Sequence, residues 1–249
     1  MAFIDRFSEH SDLYARARPG YPDALFEAIA LDLTSRTLAW DCGTGNGQAA
    51  VKLAKYFDHV HATDPSPQQI RNAVRVANVE YAVGQAEESD LPAQSVDLIV
   101  VAQALHWFDL ERFYGEARRV LKRNGKLAVV GYDPWVYVST EVDRTVAQTI
   151  LEPIKPFWAK NDELVWDGYR TIQFPFTETR LPPIAIHLEW DLQQLLAYLC
   201  SLSATRTAIR ELGDQFIHQA QVTLESVWGD PSSKKRAVMP LHTRYGQLQ

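Results

Sequence analysis

The sequence has little cysteine. Cys42 and Cys200 are the only two in 249 residues, and neither sits in a CxxC or zinc-ligand spacing. That rules out a disulfide framework and gives no reason to expect a metal. Long apolar runs are missing as well. The most apolar stretch, VDLIVVAQAL at 96–105, is about half the length a bilayer span needs. The opening MAFIDRFSEHSD lacks the basic-then-apolar order of a secretory leader, so the expectation is a soluble, cytoplasmic protein that engages no membrane. Basic residues are outnumbered, 25 against 31, for a net charge of −6. Nucleic-acid binding needs lysines and arginines that displace counterions. The single basic run, Lys234-Lys235-Arg236, is too short to line such a groove. There is no repeat, no low-complexity tract and no Walker-type lysine loop for ATP or GTP.

What is present reads as one α/β domain. Short β-branched runs alternate with helical segments from residue 37: strands at Thr37–Asp41, His59–Asp64, Val79–Val83, Val96–Ala102 and Lys126–Gly131. Between them lie a helix through Lys55, one opened by Ser66 and Pro67, and one over Asp109–Leu121 that Asn124-Gly125 terminates. The rhythm breaks over 133–185, which holds six prolines, and the pattern predicts a helix near Val142–Leu151 followed by irregular covering material. Beyond it come a strand at Ile186–Trp190, helical stretches at Leu192–Leu199 and Thr205–Val222, and a last antiparallel edge strand at Arg236–Tyr245, where Pro240 is tolerable. Four of the seven tryptophans, Trp107, Trp135, Trp158 and Trp166, follow the fourth strand and favour an aromatic-lined pocket.

The stretch AWDCGTGNGQAA, residues 39–50, sets three glycines at alternate positions between a strand and a helix. In an open α/β sheet, ligands bind at that place, outside the carboxyl end of the first strand. Gly43 and Gly45 match the dinucleotide fingerprint, but its third glycine would fall at Gln48 and here comes one place early, at Gly47. Asp41 opposes a pyrophosphate by charge and suits a ligand with a cationic centre. Asp64, at the end of the second strand, is spaced to accept hydrogen bonds from ribose hydroxyls, which fits NAD and other adenosine cofactors alike.

Together, D-C-G-T-G-N-G and Asp64 resemble the cofactor motifs of class I S-adenosylmethionine-dependent methyltransferases. The wider chain is similar to the small-molecule branch that includes trans-aconitate methyltransferase, through YARARPGYP at 14–22, ALHWF at 104–108 and YLCSLSA at 198–204. The resemblance implies a seven-stranded Rossmann-like sheet with helices on both faces and an inserted cap after strand 5. It divides the chain into N-terminal cover helices (1–36), a cofactor-binding core (37–132), a lid insertion (133–185) and C-terminal helices with an edge strand (186–249). It also implies S-adenosylmethionine as cofactor. Gly43, Gly45 and Gly47 would lie along the methionine part, with Asp41 near its ammonium. Asp64 would take the ribose, flanked by Pro65 and Ser66, while Gln85, Ala86 and Glu87 would border the adenine and Gln103 and Ala104 the methionine side. Relatives often carry tryptophan where this chain has Leu202, so the pocket differs there.

Methyl transfer is an in-line displacement from an already activated sulfonium, so the protein supplies mainly alignment and exclusion of water. The expected acceptor is a small molecule, with a carboxylate oxygen first because it needs no general base. Arg18 and Arg206 are the candidate counter-charges. A hydroxyl acceptor usually needs a base, for which His106 is the titratable candidate, and an amine is a further alternative acceptor. Tyr14, Tyr21, Trp107, Trp135 and Trp158 would close the site. An NAD-dependent oxidoreductase and a non-catalytic cofactor-binding protein are the alternatives.

Overall fold

The computed structural model describes residues 18–248. Five parallel strands form its centre: β1 (Leu38–Cys42), β2 (His59–Asp64), β3 (Val79–Val83), β4 (Val96–Ala102) and β5 (Leu121–Tyr132). β6 (Thr177–Glu178), β7 (Ala185–Trp190) and β8 (Lys235–Gln247) follow, and the order is β3-β2-β1-β4-β5-β8-β6 with β7 also paired to β8. Eight strands stand where seven were expected; the added one is the two-residue β6. The helices are α1 (Asp23–Leu31), α2 (Gln48–Leu53), α3 (Pro67–Asn72), α4 (Leu110–Val120), α5 (Thr140–Val146), α6 (Asp162–Trp166), α7 (Leu192–Ser201), α8 (Ser203–Leu212) and α9 (Gln215–Trp228). Helical turns continue beyond α5 through Ala147–Leu151 to Ile154. No helix among the described residues is long and apolar enough to cross a membrane.

The pleat sorts alternate residues of each central strand to opposite faces. Ala39, Val60, Leu98, Val100, Ala128 and Val130 pack with α1, α2 and α7–α9. Trp40, Ile99, Val101, Leu127 and Val129 pack with α4 and the α6 region. Because β4 is covered on both faces it reads as a nearly continuous apolar run, interrupted by the hydrogen-bonded Asp97, which is why VDLIVVA was legible as a buried strand. The local stop signals also act as expected. Ser66 caps α3 by accepting from the Gln69 amide, with Pro67 in the first turn.

Four sequence expectations change. The helix after the glycine loop ends at Leu53 rather than Lys55. Strand pairing of β5 starts at Leu121, opposite Val96; residues 122–125 then loop out and pairing resumes at Lys126, opposite Leu98. Asn124-Gly125 therefore serves that bulge, where a side chain at Gly125 would meet Leu121 and the Lys122 carbonyl at 2.9 Å. The predicted helix over 205–222 is two helices, broken at Gly213 with φ of 80°. Finally, β8 is not an edge. Its second half pairs with β5 and its first half with β7, and Pro240 sits where the partner changes.

Candidate functional site

The strand order switches direction between the parallel neighbours β1 and β4, so their carboxyl ends open a crevice. The glycine loop fills one side of it. The Gly43 and Thr44 amides both donate to the Thr63 carbonyl at 2.9 Å, which ties the loop to the end of β2. All three glycines have positive φ, at 73°, 56° and 86°, a region other residues adopt at a cost. Their surroundings differ. A side chain at Gly43 would lie 2.6 Å from the Ala104 methyl, and one at Gly47 would overlap the Tyr81 ring. Gly45 alone faces open space, with nothing within 4 Å of where a methyl would stand. Two of the glycines therefore answer to packing within the protein, and the third leaves a cradle.

Asp64 closes that cradle from below. One carboxylate oxygen accepts from the Gly45 amide and the other from the Ser66 amide, each at 2.9 Å. Asp41 is fully buried beneath the loop and accepts from the Thr44 hydroxyl. Burial raises its pKa to about 7; the Thr44 hydroxyl and the Ala50 amide only partly offset this, and the Asp64 charge adds to it. Its Oδ1 has no partner at hydrogen-bonding geometry among the described residues. Such an orphaned acceptor beside an open cradle fits a ligand bearing a donor, and a cationic ammonium is the donor a half-ionised carboxylate would favour. Across the loop, Gln103 is strained at φ of 54°, with its Nε2 donating to the Tyr132 carbonyl and its buried Oε1 likewise without a partner. Pro65 is half-buried next to Asp64. Gln85 is exposed and bridges to Glu88, Ala86 is buried, and the Glu87 carboxylate accepts from the Asp109 amide at 2.8 Å.

Beyond Gln103 lies a solvent-open cleft of about 590 Å³. It gathers Arg18, His106, Trp107, Trp158 and Arg206 from four separate stretches of chain. The lining also includes Asp133, Asp162, Trp166 and Leu202, which sequence reasoning did not assign to the site as ligands or bases. Trp166 stands at the centre of an edge-to-face cluster, 5.6 Å from Trp135 and 5.2 Å from Trp158. Trp135 thus backs the wall rather than lining it. Tyr21 is buried against Phe26 and Tyr132, behind the lining. Tyr14 lies outside the described residues.

His106 is buried, and burial lowers its pKa to about 4. Its Nδ1 lies 3.2 Å from the hydroxyl of Tyr169, a phenol that burial keeps protonated. With Tyr169 donating to Nδ1, the proton of the neutral ring sits on Nε2, which is 3.8 Å from Asp162. Arg244 in turn donates to the Tyr169 and Ile172 carbonyls at 2.8 and 2.6 Å and locks this turn against β8. The histidine is a satisfied, weakly basic wall element. Tyr169 gave no sequence signal, because its partner lies 63 residues away.

A second histidine has a different setting. Asp133 follows the last residue of β5 and lines the cleft, and its Oδ1 is 2.6 Å from Nε2 of His242 on β8.

Compared with known proteins, residues 40–129 match the model of a methyltransferase domain family. A Dictyostelium discoideum protein named as a methyltransferase is 36% identical over 225 residues, covering 89% of this chain and 86% of its own length. A Saccharomyces cerevisiae protein named as an S-adenosylmethionine-dependent methyltransferase is 26% identical over 223 residues, covering 85% of this chain and 74% of its own length. Among solved structures, an Anaeromyxobacter dehalogenans protein described as a type II methyltransferase superposes with a TM-score of 0.87 at 40% identity, covering 92% of this chain and 97% of its own.

Proposed function

The chain belongs to the class I S-adenosylmethionine-dependent methyltransferases, and from that premise we propose that it methylates a small acid, at a carboxylate oxygen, in the cleft beside Gln103. When bound, the cofactor supplies a methyl group on a positively charged sulfur. In this reading the chain's own residues hold and orient. Asp64 takes the ribose hydroxyls, Asp41 the ammonium, and the Gly45 cradle the atoms between them. Pro65, Ser66, Gln85, Ala86 and Glu87 border the nucleoside, and Gln103 and Ala104 the methionine side. The observation that carries the acceptor reading is that Arg18 and Arg206, from opposite ends of the chain, line one cleft together. Guanidinium groups suit carboxylates, and an ionised carboxylate needs no proton removed at neutral pH. The likeness to the trans-aconitate branch points the same way.

A methyl-transfer screen over small carboxylates, phenols and amines tests this, with calorimetry against S-adenosylhomocysteine and NAD. Binding of NAD in place of the sulfonium cofactor's product would sink the cofactor half. On the best acid, Arg206→Ala is expected to raise KM by ~10-fold or more, as expected for a lost charge-assisted contact of ~1.5–3 kcal/mol. His106→Gln is expected to keep kcat and the pH profile, since the ring is neutral throughout the neutral range. A collapse of kcat in the histidine variant with normal behaviour of the arginine variant would transfer the acceptor to a hydroxyl served by His106.

Residues 133–185 act in this reading as a cover, since Trp158, Asp162, Val165 and Trp166 of that segment line the cleft. Hydrogen exchange should slow there when S-adenosylhomocysteine and the acceptor are added together. Identical protection with and without ligands would remove the cover.

A further inference from the structure

We propose that Asp133, backed by His242, is a proton acceptor that equips the same cleft for a second acceptor class, phenols and similarly acidic hydroxyl compounds. The proposal rests on the cleft being the acceptor site, but not on a carboxylate being methylated there.

His242 is on β8 and Asp133 is the first residue past β5, so both positions are set by paired strands. Asp133 directly follows Tyr132, whose carbonyl accepts from the Gln103 side chain at 2.9 Å, so it stands at the lip of the crevice next to the cofactor side. His242 is set opposite Gly131 in the antiparallel β5–β8 register, which brings its ring alongside the next-but-one residue of β5's exit. The turn at Gly168 packs on the other side of the imidazole. A methyl there would lie 3.3 Å from Cγ and Nδ1, so the absence of a side chain at Gly168 leaves room for the ring, whose Nε2 faces Asp133. The 2.6 Å separation is that of a strong, charge-assisted hydrogen bond between two groups that can share a proton. That bond holds the Asp133 carboxylate in one position at the cleft, with its second oxygen left for an acceptor.

The other ionisable groups lining the cleft are Arg18, His106, Tyr132, Asp162 and Arg206. The arginines accept no proton. His106 is a poor acceptor, because burial disfavours its charged form and Tyr169 occupies Nδ1. Asp162 lies 3.8 Å from a ring nitrogen of that same weakly basic histidine. Asp133 is the carboxylate in the cleft with an imidazole held against it. A phenol yields its proton to a carboxylate far more readily than an aliphatic alcohol does, and Trp158 and Trp166 line the cleft where an aromatic ring would lie.

The step balances without a further reactant. The acceptor oxygen bonds to the methyl carbon as the carbon–sulfur bond breaks, and that electron pair leaves on sulfur as a neutral thioether. The hydroxyl proton passes to the Asp133 oxygen that His242 does not hold, and is released from there to solvent.

The probe is 4-nitrophenol, whose ionised form is coloured, titrated with the full chain plus S-adenosylhomocysteine in buffer below the phenol's own pKa. Wild type should bind it as the coloured phenolate. Asp133→Asn should bind it uncoloured and form its methyl ether ~100-fold more slowly. That deficit should shrink above the phenol's pKa, where no base is needed. His242→Gln should weaken the colour and shift the pH profile of ether formation, and it carries the test if Asp133→Asn no longer binds the cofactor product. Equal colour and equal rates in wild type and both variants would overturn the proposal. Uncoloured 4-nitrophenol in a wild type that methylates carboxylates would overturn it too and leave the carboxylate reading intact. Coloured phenolate and ether formation with no carboxylate methylated would overturn that reading and support the pair.

Discussion

Gly45→Val is expected to abolish binding of S-adenosylmethionine and its demethylated product, by ~100-fold or more, while the protein stays folded. The two effects separate because of where Gly45 sits. Its φ is 56°, so a β-branched residue pays backbone strain of ~1–3 kcal/mol. Its side chain, however, would enter open space, with no protein atom within 4 Å to clash with. The volume it fills is the volume a ligand on the loop would use. Gly47→Ala provides the contrast. Its methyl would run into the Tyr81 ring, so stability and binding should fall together. Calorimetry for binding and thermal unfolding for stability check both. If Gly45→Val bound S-adenosylhomocysteine as wild type does, the cradle would not be the cofactor site.

Asp41→Asn should stabilise the ligand-free protein and weaken cofactor binding at the same time. Asp41 is fully buried, with a pKa raised from 3.8 to about 7, mainly by burial. A folded-state pKa raised above the unfolded one means that the folded protein retains the proton longer. The stability this group contributes is complete below 3.8 and is lost as pH rises through about 7. Over that interval the loss is on the order of 4 kcal/mol. Asparagine keeps the shape and never ionises. The gap in Tm between the variant and wild type should therefore open with rising pH across this window and level off above it. Binding of the cofactor product should weaken by ~10-fold or more in the variant, because an uncharged amide no longer attracts an ammonium. Parallel pH–Tm curves for the two proteins would mean that Asp41 does not carry this cost.

The same residue shows how far sequence reasoning reached. Its position next to the glycine loop marked Asp41 as part of a ligand site, because strand, loop and helix are consecutive and their spacing is local. That it is wholly buried, and titrates near neutrality as a result, depends on helices packed over it from elsewhere in the chain. Likewise ALHW marked His106, but the partner that satisfies its ring, Tyr169, lies 63 residues further on. The strand at Arg236–Tyr245 was legible by composition, yet it looked like an edge because nothing local announces the two-residue β6 or the change of partner at Pro240.

What the sequence determined by itself is the set of features whose causes are local: the β–α alternation, the buried β4, the cap at Ser66, the glycine loop and the acid closing β2. Each rests on periodicity or on backbone demands within a few residues, and those are written in order along the chain. The tertiary structure alone decided which side chains share a cavity and which share a hydrogen bond. Arg18 and Arg206 meet in one cleft, and Asp133 meets His242 across 109 residues. Sheet register and packing bring such groups together from distant parts of the chain, and at the rim of the cleft an imidazole comes to lie 2.6 Å from a carboxylate. No hydrophobic pattern encodes that register, because shifting the strands by two residues would bury the same faces and pair different side chains.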